Sequence, residues 1–274
     1  MKEANIITLT TDFGAGDYSV AALKGALYQL IPQVTIVDIS HQVDCYSIGD
    51  AAYLLQGAYT YFPQGTIHII GVDNELSEQK PLLLLVYQGQ YFIVADNGFI
   101  SLFTYNQANV QVYRILLEHT HSILPTLDFS TKVAQQLCQG IAPEAIGIPY
   151  KAHLFVSLFT PKVRPHRIEG SVIYIDYFGN AVSNITETLL KEEARGRRFN
   201  VVFRYQSTKN TSVENIPNQY SHAEGLYSDG VPFLLFNRLK YLEMAISKAI
   251  PNSFGGSNSL LGIRKGDTVN IDFI

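Results

Sequence analysis

The chain has 274 residues, more than the usual single domain, so two domains are the first expectation. With 47% hydrophobic and 16% charged residues it has ample material for packed cores, which excludes an intrinsically disordered chain. A net charge of −4 without any basic run argues against nucleic acid or an anionic membrane surface as the main partner.

Met1-Lys2-Glu3-Ala4-Asn5 leads straight into a β-branched run without the apolar core of a signal peptide, and no apolar run reaches the ~18–20 residues of a membrane span. A cytoplasmic protein is therefore expected. The first strand is predicted over Asn5–Leu9, and Val20, Leu23, Leu27 and Leu30 recur at helical spacing until Pro32 stops the helix. Between strand and helix, the stretch from Thr8 to Ser19 sets Asp12, Asp17 and a hydroxyl around a glycine turn. Such a connection lies at the carboxyl end of a strand, where open α/β sheets bind ligands, and a carboxylate there suits the vicinal hydroxyls of a ribose. The same residues fit a plainer role, with Asp17 as helix N-cap and Asp12 as a turn aspartate.

Further along, Val34–Ile39, Thr66–Val72, Leu82–Tyr87 and Tyr91–Ala95 read as strands, with helices over Ser47–Tyr59 and Ser130–Gln139. This order predicts an α/β N-terminal domain over residues 1–160, a mostly parallel central sheet flanked by helices. The proline-punctuated stretch Thr160–His166 reads as an extended linker. Beyond it, strand-like runs at Glu169–Tyr174, Asn200–Tyr205, Val231–Phe236 and Val269–Phe273, with one helical segment near Tyr241–Ala249, predict a β-rich, barrel-like C-terminal domain over residues 161–274. Cys45 and Cys138 lack CxxC spacing and are expected as buried reduced thiols.

Several segments, in order, resemble the S-adenosylmethionine hydroxide adenosyltransferase family, which also contains enzymes that make carbon–halogen bonds. They are Thr11-Asp12-Phe13-Gly14, Asp17-x-Ser19, Lys24-Gly25, Ile36 to His41, Tyr61-Phe62-Pro63-x-Gly65-Thr66 and Ala95-Asp96-Asn97-Gly98-x-x-Ser101-Leu102. Ile175 to Asn180 and Tyr241 to Ala245 continue the match. The resemblance implies a homotrimer with the ligand between neighbouring subunits, S-adenosylmethionine as substrate, and no further cofactor or metal. It places Asp12 on the ribose hydroxyls, Asp17 and Ser19 on the methionine part, and Tyr46 against the ribose or the methionine chain. In the second domain it places Asp176 at the amino-acid end, Phe178 as a stacking wall for the base and Asn180 as the amide reading adenine. An Asn side chain carries a donor and an acceptor for a base edge, and an aromatic face stacks on it.

The chain also departs from that family. Water-using members carry an Asp, an Arg and a His around the attacking water; Asp73 matches the first, Lys80 stands for the arginine, and the histidine position falls on Pro125, which has no group for proton transfer. His119 and His121 lie just upstream, and Thr126 falls where halogenating members place a small or hydroxyl residue beside the halide. Arg238, Leu239 and Lys240 replace small residues at the adenine end, and Ser247 and Lys248 stand where Asn and Gly are common. Asp73 is the candidate base, with Lys80 as second base or as a cation beside a forming hydroxide. Hydrolysis of S-adenosylmethionine to adenosine and methionine is the first expectation. A catalytically impaired adenosyl-binding protein, or another nucleophile transferase, is the alternative.

Overall fold

The computed structural model describes residues 5–105, 110–117, 121–152, 160–250 and 255–274, with the backbone alone at 223–225, and separates into two compact units, Met1–Val156 and Ser157–Ile274. The first unit runs β1 (Ile6–Thr11), α1 (Tyr18–Leu30), β2 (Thr35–Ser40), α2 (Ile48–Ala58), β3 (Ile67–Gly71), β4 (Leu82–Tyr87), β5 (Gln90–Ala95) and α3 (Phe99–Phe103). β6 (Gln111–Ile115), α4 (Thr131–Cys138), α5 (Pro143–Ile146) and β7 (Gly147–Pro149) complete it.

Its sheet has the order β2-β1-β3-β5-β4-β6-β7 among the described residues. The expected mostly parallel sheet is corrected here to a mixed one: β2, β1, β3 and β5 run parallel, while β4, β6 and β7 join by antiparallel pairings. The physical reason is the short Gln88-Gly89 connection between β4 and β5, with both residues at positive φ, which permits only a hairpin.

Helices cover both faces of the sheet. On one, Ile7, Leu9, Ile69, Leu82 and Leu84 pack with Leu23 and Leu27 of α1 and Val133 and Ala134 of α4. On the other, Ile70, Val72, Leu83, Leu85, Phe92 and Val94 pack with Ala51 and Leu55 of α2 and Phe99 and Phe103 of α3. Burial on both sides explains the unbroken apolar run of β4. It also leaves the carboxyl ends of β1 and β3 as the place where polar side chains collect.

The second unit holds β8 (Lys162–Arg164), β9 (Arg167–Ile175), β10 (Ala181–Thr186), α6 (Glu187–Ala194), β11 (Phe199–Phe203) and β12 (Gln206–Thr211). α7 (Tyr220–Leu226), β13 (Pro232–Phe236), β14 (Tyr241–Ile246), α8 (Ser257–Leu260) and β15 (Thr268–Phe273) follow. Its strands pair antiparallel in the order β12-β11-β15-β9-β10-β14-β13, with β8 alongside β9. β9 changes partner midway, pairing with β15 through Ser171 and with β10 from Val172 onward, which gives the sheet its barrel-like bend.

Two expectations fail in this unit. The stretch read as an extended linker is partly a hairpin, because Pro165-His166 turns β8 back onto β9 with Arg164 opposite Arg167. The segment near Tyr241–Ala249 is a strand and not a helix: β14 is buried along all six residues between β10 and β13, and that pairing overrides the helix preference of Leu, Glu, Met and Ala. The expected buried thiols are corrected as well. Cys45 is exposed in a loop, while Cys138 at the end of α4 is half-buried, with its thiol pushed up to about 11 by burial.

Candidate functional site

At the carboxyl edge of β1, Asp12 does more than shape a turn. Its Oδ2 accepts the Tyr46 backbone N–H at 2.9 Å and the Asp73 N–H at 3.4 Å, drawing the loops after β2 and β3 toward it. Behind it, Thr11 Oγ1 lies 2.7 Å from His41 Nδ1, His41 Nε2 lies 3.1 Å from Asp38 Oδ1, and Lys24 Nζ holds Asp38 Oδ2 at 2.6 Å. Burial alone would raise the Asp38 carboxyl, but hydrogen bonds from Lys24 and His41 bring it below its ordinary range. Gly14 N–H donates to His41 O at 2.8 Å, so the same chain of contacts anchors the glycine turn.

Asp17 is the N-cap of α1. Its Oδ1 accepts the Tyr18 N–H at 2.6 Å and its Oδ2 the Ser19 hydroxyl at 3.3 Å, all on an exposed surface. The plainer capping role and the carboxylate–hydroxyl pair expected from the sequence are thus the same arrangement. Tyr46 reaches Asp12 only through its backbone; its φ is +63° and its ring is 71% exposed.

Asp73 follows β3 with φ +47°, a conformation Asp tolerates. The Asn97 amide clamps this turn, donating to Val72 O at 3.0 Å and Asp73 O at 3.2 Å. Lys80 Nζ donates to Asp73 Oδ1 at 2.7 Å, with side chains 24% and 33% exposed. The next residue, Asn74, donates through Nδ2 to the buried Thr126 hydroxyl. Gly71 permits this approach, since a Cβ there would lie 2.9 Å from Thr126 Oγ1. Pro125 precedes a π-helical turn, Thr126–Ser130, that runs into α4. His121 is exposed and lines an open cavity of about 510 Å³ with Glu75, Leu76, Ser122 and Ile123; His119 lies outside the described residues.

In the second unit Asp176, Phe178 and Asn180 come together on the hairpin between β9 and β10. They line a cavity of about 330 Å³ with Tyr220, Ile246, Lys248 and Ala249. Gly179, with φ +78°, makes the tip, and a Cβ there would collide with Asn258 Oδ1. Burial pushes the Asp176 carboxyl up, countered by the Asn180 N–H at 2.8 Å, its side-chain Nδ2 at 2.9 Å and the Phe178 and Gly179 N–H groups. The Phe178 ring is 53% exposed and meets Tyr177 edge-on at 5.7 Å. Behind the cavity, Tyr220 Oη donates to Glu243 Oε1. Burial, with the Asp176 charge, pushes Glu243 up to about 7 against the hydrogen bonds it receives.

The structure therefore groups Asp12, Asp73, Lys80 and Thr126 with Tyr46 in one unit, and Asp176, Phe178 and Asn180 in the other. Sequence reading gave no role to Asn74, Asn97, Tyr220 and Glu243. Asn97 and Glu243 did fall inside segments that carry the resemblance, and Glu243 stands out as a lone acid inside the apolar run Leu242–Ile246.

Family models for the SAM hydroxide adenosyltransferase N-terminal domain and C-terminal domain match residues 7–147 and 170–270. An (R)-S-adenosyl-L-methionine hydrolase of Methanocaldococcus jannaschii is 29% identical over 209 residues, covering 74% of this chain and 72% of the relative. A protein of the same name from Salinispora tropica is 25% identical, with 97% of each chain covered. A crystal structure of an uncharacterised conserved protein from Thermotoga maritima shares the fold, with TM-score 0.80 at 21% identity over 97% of this chain and 99% of the other. Matched through both of its domains, the chain belongs to the SAM hydroxide adenosyltransferase family.

Proposed function

We propose that the protein hydrolyses S-adenosylmethionine to adenosine and L-methionine. The support is family membership, two relatives named as (R)-S-adenosyl-L-methionine hydrolases, and above all the Asp73–Lys80 pair tied through the Asp73 N–H to Asp12. Asp12 binds the ribose diol, which brings C5′ to the carboxyl edge of β3, where Asp73 stands. Asp73 orients a water and takes its proton as the water oxygen bonds to C5′. The C5′–sulfur bond breaks with its electron pair going to sulfur, so methionine leaves as a neutral thioether and needs no acid. Lys80 steadies the carboxylate and the oxygen that is losing its proton, without the planar fork of an Arg. Asp17 and Ser19 hold the methionine end, Tyr46 flanks the ribose, Thr126 borders the nucleophile, Asp176 contacts the amino-acid end, and Phe178 and Asn180 form the base-binding part.

Incubation with S-adenosylmethionine followed by chromatography tests this: adenosine and methionine should accumulate together in equal amounts. Pro125 at the histidine position favours a second reading, a binder that retains the ligand without cleaving it. Adenosyl ligands raising the melting temperature with no adenosine released would establish that alternative. A homotrimer in the cytoplasm belongs to the same proposal; what supports association is the set of exposed rings, such as Tyr18, Tyr177 and Tyr205, that it would cover. Light scattering that gives only the monomer mass would remove it.

A further inference from the structure

Glu243 is 2% exposed, in a strand whose six residues are all buried. Its neighbours across the sheet, Val182 of β10 and Leu235 of β13, are apolar and offer its carboxyl nothing. The partners come from other elements: Tyr220 of α7 donates its hydroxyl, and the side-chain amides of Asn237 and Asn180 also reach the carboxyl. Tyr220 Oη in turn lies 3.4 Å from Asn180 Nδ2, and that nitrogen is 2.9 Å from Asp176 Oδ2.

The donors in this chain point toward two acids, the buried Glu243 and the half-buried Asp176. The hydrogens of the Asn180 amide are thereby engaged on the Glu243, Tyr220 and Asp176 side. Oδ1 then has no donor among the described residues, and Asn180 lines the cavity. An amide oxygen at a cavity accepts a hydrogen bond and cannot give one.

We propose that Glu243, through Tyr220, is the positioning residue for Asn180, turning the amide carbonyl toward the cavity so that the pocket selects a base edge that donates over one that accepts. A 6-aminopurine presents such a donor, and a 6-oxopurine presents a carbonyl in its place. This rests on the adenosyl-ligand reading of the cavity and adds how the base is chosen.

The chain is sensitive to protonation. A hydrogen placed on Glu243 removes the charge that strengthens the bonds it receives, so the hold on Tyr220 and the amides slackens and Asn180 loses part of its restraint. Burial pushes that carboxyl up to about 7, which puts the change near neutrality. The groups facing it are Tyr220 from α7, Asp176 and Asn180 from the β9–β10 hairpin, and Asn237 from the turn before β14. Lys248, on the cavity rim, is paired with Asp229 at 2.9 Å.

The test is calorimetry of adenosine and inosine binding to the full chain at about pH 6 and about pH 8.5, for wild type, Glu243→Gln and Tyr220→Phe. Wild type should prefer adenosine about tenfold or more at the higher pH and lose part of that preference at the lower, as expected for one hydrogen bond. Glu243→Gln should show a reduced preference that no longer changes with pH, because a permanently neutral amide lacks the charge that strengthens these hydrogen bonds, as the protonated acid does. Tyr220→Phe keeps the shape of the ring and should reduce the preference too, which keeps the test alive if the Glu243 variant does not fold. If both folded variants retain the wild-type preference and pH profile, the positioning role is wrong while the adenosyl reading stands. If wild type binds neither nucleoside, the adenosyl reading itself falls and this proposal with it.

Discussion

Lys80 Nζ sits 2.7 Å from Asp73 Oδ1 across a loop that is itself closed by reciprocal backbone hydrogen bonds between Ser77 and Lys80. The cation is thus delivered to the carboxylate by a turn, and the pair is set beside Asp12 by the Asp73 N–H. Because both side chains are partly exposed, the ion pair adds little to stability, and its value lies in placing the carboxylate.

Asp73→Asn should leave S-adenosylmethionine binding intact and lower adenosine release by about 10²–10⁴-fold, the usual worth of a general base. Single-turnover chromatography beside a binding isotherm separates the two effects. Unchanged turnover would move the role to Lys80 or His121.

Asp12→Ala should weaken adenosine about ten- to a hundredfold, since a hydrogen bond to a charged acceptor contributes roughly 1.5–3 kcal/mol. The loss should be accompanied by loosening of the loops that Asp12 gathers, as Tyr46 N–H and Asp73 N–H both lose their acceptor. Calorimetry for affinity and hydrogen exchange at the two amides read the two consequences separately.

Gly256→Ala should disturb the base-binding half without touching a ligand contact. Its added Cβ would collide with Phe178 O and the Gly179 backbone, which are peptide atoms of the hairpin tip and have no freedom to rotate away. The expected result is weaker adenosine binding with a lowered melting temperature. An Ala variant with wild-type affinity would mean that the tip does not form part of the binding surface.

The first unit should lose stability in acid through His68. This ring is 1% exposed, stacks on Phe92 at 4.5 Å, and lies 2.7 Å from Thr8 Oγ1 and 2.9 Å from Gln90 Oε1. The Gln90 amide nitrogen is committed to backbone carbonyls, so its oxygen takes the Nε2 hydrogen and Nδ1 accepts from Thr8. Burial lowers the imidazole to about 4, from an ordinary 6.5. The unfolded chain therefore binds the extra proton between those values, and stability, complete above about pH 6.5, falls by about 3 kcal/mol as pH drops toward 4. Urea midpoints across that range should show the slope in wild type and less of it in His68→Phe.

The sequence by itself determined the strands and helices of the first unit from β1 through β5, because hydrophobic periodicity and stop signals such as Pro32 act within a few residues. It also determined the Asp17 cap and the Asp176–Asn180 turn, where a short motif folds on itself through local hydrogen bonds. Tertiary structure decided the rest. β14 became a strand because β10 and β13 flank it, and Glu243 gained its meaning only when Tyr220, 23 residues away, came against it. Asp73 met Asp12 across 61 residues, and Asn74 met Thr126 across 52. A one-dimensional pattern reports the local preferences of each residue, but contacts between distant segments form only when packing has closed the loops between them.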